Sequence, residues 1–317
     1  KPYSGGADLL VAPFVSILYP SFRVLSTGTE RCPCMRNTFA PAACALACAV
    51  PHPDCTGFLK NPVSVSGKSC YSKGSDHCPY GAERNEGFMK RSEINKALRE
   101  LEEMCREYRC YLPPFCNFTP EEWKTKGHEY DEVRECCLGW DITDYGQGDF
   151  DKVGFSLITI RNGSQTLREK YPKVYAEKLL YLKEGQYAPN HFHWYKTEDI
   201  INRGGGNVLI RVYNSHEDES IDYESDVTVH TDGRTYTVPA GTQIRLTPGE
   251  SIFIQQRLYH DFEVEPGTGN VLLGEVSQCN DDAKDNRFNP PMGRFPAVEE
   301  DEAPYRLLCT EYPPAAD

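Results

Sequence analysis

Regular patterning in the chain begins at residue 92. Ile94, Ala97, Leu98, Leu101, Met104 and Tyr108 recur at helical spacing, and charged residues fill the opposite face. That period predicts an amphipathic surface helix with Ser92 as its N-cap, a packing element without chemistry of its own. Thr119-Pro120-Glu121-Glu122 has the form of a capping box with proline at the first helical position, so a second helix carrying Trp123 is expected. After about residue 150 the pattern becomes that of strands. Short strands are predicted over 153–160, 176–182, 207–213, 226–230, 235–238, 243–246, 251–254, 262–264 and 270–276. Asp232-Gly233 separates two of them as a hairpin turn, and Gly204-Gly205-Gly206, Pro239-Ala240-Gly241 and Pro248-Gly249 punctuate others. Many short strands joined by Gly/Pro turns predict an all-β barrel or sandwich, with the two leading helices packed outside.

Residues 1–88 share none of this. They begin with Lys, are rich in Pro, Gly, Ser and Cys, and show no sustained period. The apolar stretch 40–50 is too short for a membrane span, which needs about 20 residues. Cys32, Cys34, Cys44, Cys48, Cys55, Cys70 and Cys78 match no paired C-x-x-C scheme, which argues against a zinc module. The expected organisation is a disordered or non-native extension over 1–88, upstream of a true start at Met89, and a working domain over 89–317 with helices within 92–150.

Charge sharpens that division. Of the net charge of −13, residues 1–88 contribute +2 and residues 89–317 contribute −15. An acidic domain with no basic stripe is repelled by phosphate backbones, so nucleic acid is not an expected partner, and no uninterrupted apolar run suggests a membrane. Half of the fourteen cysteines fall after Met89, at Cys105, Cys110, Cys116, Cys136, Cys137, Cys279 and Cys309. Their odd number and irregular spacing suit reduced thiols in a cytoplasmic protein better than a disulfide framework.

The chemistry concentrates between Gly185 and Gly204. Side chains alternate along a strand, so His191 and His193 share a face, and Glu198 follows five residues later. A bend would return its carboxylate to the imidazoles. Downstream, Pro248-Gly249-Glu250 precedes a strand leading to His260, which could close the site from a neighbouring strand. Three imidazoles and a carboxylate suit a borderline divalent ion such as Mn, Fe, Co, Ni or Zn. Without such convergence, His191 and His193 would be ordinary polar strand residues. His52, His77, His128, His216 and His230 lack partners at comparable spacing and are expected in solvent.

This arrangement resembles the two cupin motifs. It departs from them in a longer gap between Gly249 and His260 and in lacking the asparagine that usually follows the last histidine. The resemblance narrows with longer segments: 89–95, Leu112-Pro113-Pro114-Phe115, 138–146, 191–206 and 274–282 look like the bacterial D-lyxose isomerases, a match running from Met89 to about Tyr312. That family implies a cupin β-barrel (jelly roll) and a manganese-dependent exchange of D-lyxose with D-xylulose, often also of D-mannose with D-fructose. It implies His191, His193, Glu198 and His260 as metal ligands, and its members begin at the position of Met89.

Aldose–ketose exchange needs a base that moves a proton between neighbouring carbons and a donor for the oxygens. Glu275 is the candidate base. It shares a strand face with Val271 and Leu273, and an apolar row would raise its pKa. Lys178, on one face with Leu180 and Leu182, is the candidate donor or shuttle, and it falls on a lysine resembling one of the family's site. Alternatively, Glu275 pairs with a buried arginine and Lys178 reaches solvent. Asn280, Asp281, Asp282 and Arg287 form a polar cluster that could read sugar hydroxyls or be a solvated loop, and Trp194 could offer its face to a sugar or pack behind a ligand.

Three competing readings are a non-catalytic sugar-sensing cupin, an iron dioxygenase and a cupin phosphoglucose isomerase. They are disfavoured by the missing DNA-reading helix, the additional His260 and the missing phosphate clamp, respectively. The expected partner is a small-molecule sugar, and a homodimer is expected because cupin barrels leave strand edges that pair.

Overall fold

The structure, a computed structural model, describes residues 88–317. The expectations for the N-terminal extension, its cysteines, His52 and His77 therefore lie outside the described residues. A short strand β1 (Phe88–Lys90) leads into helix α1 (Arg91–Glu107). Ser92 lies inside the helix rather than before it. Its amide and hydroxyl both donate to the Asp301 carboxylate, so the N-terminal turn is capped from a segment distant in sequence. The predicted second helix is the single turn α2 (Pro120–Trp123). The Thr119 hydroxyl accepts from the Glu122 amide and the Glu122 carboxylate accepts from the Thr119 amide. A short α3 (Asp131–Glu135) follows.

Helices therefore end at residue 135, not near 150. The next element is a strand outside the predicted set, β2 (Gly139–Thr143), buried at all five positions. Trp140 and Ile142 face α1, while Asp141 and Thr143 are the polar side chains on its other face. The alternation is present in these residues but spans only four positions.

The remaining strands run in order: β3 (Phe155–Arg161), β4 (Tyr175–Leu182), β5 (Tyr187–Phe192), β6 (Glu198–Gly205), β7 (Val208–Ser215), β8 (Ile221–Asp222), β9 (Val227–Thr231) and β10 (Arg234–Val238). After them come β11 (Gln243–Leu246), β12 (Ser251–Ile254), β13 (Tyr259–Val264), β14 (Val271–Gln278), β15 (Arg287–Phe288) and β16 (Ala297–Glu299). Asp232 and Gly233 both have positive φ at the β9–β10 turn, as an Asp-Gly hairpin requires.

Two antiparallel sheets form the barrel. The larger has the order β10-β9-β12-β6-β14-β4-β3-β2, and the smaller β11-β7-β13-β5-β15 with β8 added on β7. Leu157, Leu180, Leu182, Ile200, Val271 and Leu273 of the larger sheet pack against Val208, Ile210, Val212, Phe262 and Val264 of the smaller. The opposite face of the larger sheet presents Ile158, Leu179, Tyr181 and Leu272 to Ile94, Leu98 and Leu101 of α1. The alternation of Leu179 and Tyr181 with Leu180 and Leu182 thus fixes which face of β4 looks inward. Gly204 has a specific role. A Cβ there would lie 2.2 Å from the Tyr108 ring, so only glycine lets the end of α1 seat on β6. This is the all-β cupin barrel expected, with the long helix outside it.

Candidate active site

One end of the barrel interior is polar. His191 lies on β5 and its direct register partner His260 lies on β13 of the smaller sheet. Between His260 and Phe262 the register against β5 slips, and Pro189 and Asn190 form the irregular stretch. A bulge of this kind re-aims side chains, and proline is tolerated there because no ladder donor is lost. The strand expected to carry both His191 and His193 ends at Phe192. His193 sits in the turn just beyond, yet its ring joins the other two.

The three imidazoles each offer a nitrogen within 4.8 Å of the others, and all three are buried. Each Nδ1 faces a carbonyl oxygen: Pro189 at 2.8 Å for His191, Asp285 at 2.7 Å for His193 and Leu258 at 3.0 Å for His260. A carbonyl only accepts, so each Nδ1 carries the proton and each Nε2 presents its lone pair to the centre. Burial, reinforced by the adjacent His260 and His193 rings, holds the His191 imidazole well below its ordinary value and keeps it neutral. Glu198 opens β6 on the facing sheet. Its carboxylate oxygens lie 3.2 Å from His260 Nε2 and 3.4 Å from His193 Nε2. Nε2 of His193 and Nε2 of His260 are buried without a hydrogen-bond partner, beside the Glu198 carboxylate. Orphaned imidazole nitrogens meeting a carboxylate from the facing sheet fit a divalent cation, which would satisfy them at once.

Beside this group lies a network of buried ions. Lys196 Nζ is 2.7 Å from Glu198 Oε2 and 2.9 Å from Glu275 Oε1, and it donates to Asn280 Oδ1 at 3.1 Å. Lys178, directly opposite Glu275 on β4, reaches Glu275 Oε1 at 3.5 Å and Asp282 Oδ1 at 3.4 Å. Arg294 bridges Asp282 Oδ2 at 3.2 Å and Asp141 Oδ2 at 2.6 Å. Burial alone would raise the Glu198 and Asp282 carboxyls. The Lys196 ammonium outweighs it at Glu198, and Lys178, Arg294 and Lys196 outweigh it at Asp282, so both stay ionised. At Asp141 burial wins over Arg294 and the carboxyl is pushed up.

Lys178 and Glu275 do point inward on their predicted faces and line a small cavity together with His191, His193, Lys196, Glu198, Asp282, Asn286 and Arg294. The setting of Glu275 differs from the expectation. It is not an isolated carboxyl in an apolar row, nor paired with an arginine. It accepts from Lys196 and Ser277 and lies near Lys178, all through Oε1. Strand alternation placed Val271 and Leu273 correctly but could not show what faced them.

The other predicted contacts are distributed differently. Asn280 touches the network through Lys196 but lines a neighbouring cleft, as does Asp281, whose carbonyl accepts from the amides of Lys284 and Asp285. Trp194 and Arg287 are held together away from the cavity wall. The indole donates to Glu219 Oε1 at 2.8 Å and the guanidinium to Glu219 Oε2 at 3.1 Å. His128 and His216 are exposed, and His230 is half-buried against Phe253. Lys196 was the omission, although the period-two spacing from Glu198 marks it: residues 196 and 198 fall on one face of an extended chain, as 191 and 193 do. Arg294 and Asp141 carry no such sign.

These convergent groups can bind a small polar molecule next to a cation site and move protons within it. The chain is similar to known proteins in structure and in sequence. Solved structures similar in fold include L-ribose isomerase of Cellulomonas parahominis with L-ribose, 16% identical over 68% of this chain and 100% of that one, TM-score 0.44. L-ribose isomerase of Acinetobacter sp. DL28 in complex with L-ribose is 14% identical over 68% and 99%, TM-score 0.42. A D-lyxose/D-mannose isomerase of Serratia proteamaculans is 45% identical over 225 residues, spanning 71% of this chain and 98% of that protein, and one of Escherichia coli O157:H7 is 44% identical over the same shares. The D-lyxose isomerase family matches residues 89–312, which include every side chain of the buried site, and the chain is a sugar isomerase belonging to that family.

Proposed function

We propose that the protein interconverts D-lyxose and D-xylulose, and D-mannose and D-fructose, with a divalent ion held by His191, His193, Glu198 and His260. The observation supporting this reading is the pair of unpartnered Nε2 atoms, of His193 and His260, buried beside the Glu198 carboxylate at the centre of the site. Three imidazoles and one carboxylate suit a borderline divalent ion; manganese is assigned first, with iron, cobalt, nickel and zinc as competitors. When bound, such an ion acts as a Lewis acid that stabilises negative charge on the sugar oxygens at C1 and C2.

The chain's own groups supply the proton transfers. Glu275 takes the proton from C2 of the aldose and returns it to C1. With Oε1 engaged by Lys196 and Ser277, Oε2 is the atom left for that work. Lys178 Nζ delivers a proton to the oxygen at C1 and recovers one from the hydroxyl at C2. Lys196 keeps Glu198 ionised and bridges it to Glu275. Every lysine and arginine lining the cavity among the described residues stands within 3.5 Å of a carboxylate. No cation is left to clamp a phosphate, which favours an unphosphorylated sugar. Asn286 and Asp282 are the polar cavity-wall groups available to sugar hydroxyls.

Incubation with D-lyxose and manganese under nitrogen is expected to yield D-xylulose. Absence of any ketose from both D-lyxose and D-mannose, with metal bound, would overturn the reading. The seven free thiols among the described residues are consistent with a reducing, cytoplasmic setting. Among the described residues, the open edges at β10, β11 and β15 support a homodimer, to be read by light scattering.

A further inference from the structure

The three histidines are oriented in two different ways. His191 and His260 each donate to the carbonyl two residues earlier in the chain, so their tautomers are fixed locally. His193 has no such local partner. Its Nδ1 donates to the carbonyl of Asp285, 92 residues away in the segment before β15. The same Asp285 turns its carboxylate back on the chain beside His193: Oδ1 accepts from the Tyr195 amide at 2.9 Å and Oδ2 from the Lys196 amide at 3.0 Å. Asp285 is itself 1% exposed, and its amide donates to the Asp281 carbonyl at 2.9 Å. One residue therefore holds the turn at three points.

That turn is short and chemically dense. It carries His193 and Lys196 and runs directly into Glu198. Outside a strand, a backbone amide has no ladder to satisfy it, and a carboxylate accepting two successive amides fixes their peptide planes. We infer that Asp285 is a positioning residue for the cation site: its carboxylate sets the 193–197 turn and its carbonyl fixes the proton on His193 Nδ1, so that the His193 lone pair and the Lys196 ammonium reach the cavity together. This rests on the metal reading above. It also ties the 280–294 segment, which supplies Asp282, Asn286 and Arg294 to the cavity wall, to the cation site.

The test compares Asp285→Asn and Asp285→Ala with Asp301→Ala in the full chain. Asp301 likewise accepts a backbone amide, but at α1, remote from the site in its contacts. Manganese binding is measured by electron paramagnetic resonance, and the cobalt-loaded proteins are compared by visible absorption. Both Asp285 variants are expected to bind manganese about tenfold or more weakly, as loss of an orienting partner of a metal ligand typically causes, and to alter the cobalt spectrum. Asp301→Ala is expected to lower the melting temperature and leave both unchanged. Asp285 variants that bind manganese as tightly as the unaltered protein, with an unchanged cobalt spectrum, would overturn the inference while leaving the metal reading intact. Failure of the unaltered protein to bind any of these ions would remove both. A second measurement needs no Asp285 variant. In nitrogen-edited NMR spectra of the metal-free protein near neutral pH, the His193 ring, identified by the signal lost in His193→Gln, should carry its proton on Nδ1. A proton on Nε2 would overturn the inference.

Discussion

His191 on β5 and His260 on β13 are direct register partners across two antiparallel strands, with ring centroids 4.3 Å apart. Glu198 faces them from the opposite sheet. The site therefore straddles the barrel interior, and its geometry depends on both sheets being packed.

Replacing His260 or His191 by alanine should remove one donor nitrogen from this cross-barrel set. Lewis-acid stabilisation supplies several kcal/mol of the barrier reduction. At 1.36 kcal/mol per tenfold, turnover of D-lyxose should fall by roughly three orders of magnitude. Manganese binding measured on the same samples should fall with it. Full activity in either variant would exclude the assigned ligand set.

Glu275→Gln keeps the shape of the side chain and removes its basicity. Turnover is expected to fall about 10²- to 10⁴-fold, the usual contribution of a positioned acid–base group. Manganese affinity should stay near that of the unaltered protein, which separates this variant from the histidine ones. Retained turnover would move the base to another residue.

Lys196→Met leaves Glu198 and Glu275 buried with their shared ammonium removed. Breaking a buried ion pair by removing one partner costs about 3–5 kcal/mol, because the remaining charge is uncompensated. Denaturant titration of the metal-free variant should show a loss of this size. Added manganese should recover part of it, since a cation beside Glu198 replaces some of the missing charge. A variant as stable as the parent without metal would contradict the arrangement described.

Removing the ion should itself lower stability. A ligand bound only by the folded state at 100 times its dissociation constant contributes about 2.7 kcal/mol. Chelation is therefore expected to lower the melting temperature, and readdition of manganese to restore it. A melting temperature indifferent to both would count against a resident cation.

Asp282 gives the acid-side behaviour. Its carboxyl is held far below its usual range because Lys178, Arg294 and Lys196 together outweigh burial. The unfolded chain takes up this proton near the ordinary value of 3.8 while the folded protein refuses it. The stabilisation is thus present above that pH and is lost as the pH falls through and below it. In Asp282→Asn this contribution is absent at every pH. The gap in unfolding midpoint between parent and variant should be widest at neutral pH and narrow towards pH 3. A constant gap would refute the ion-pair assignment.

Much of the barrel is written locally. Strand alternation placed Lys178 with Leu180 and Glu275 with Leu273, and the Asp232-Gly233 turn paired β9 with β10. The buried strand β2 went unpredicted although Trp140, Asp141, Ile142 and Thr143 alternate apolar and polar, because the run is only four residues long. Ser92 was misplaced as a cap because the cap comes from Asp301, which no local pattern couples to α1.

By itself, the sequence determined the all-β barrel, the outer helix and the histidines and carboxylates able to meet, because periodicity and ligand spacing are properties of neighbouring residues. Tertiary structure decided who stands opposite whom. It set Lys196 between Glu198 and Glu275, drew Trp194 and Arg287 aside to Glu219, and put Asp285 behind His193. Apart from Lys196 with Glu198, those pairings join residues tens of positions apart, and their energies exist only once the two sheets exclude water and bring the charges within a few ångströms.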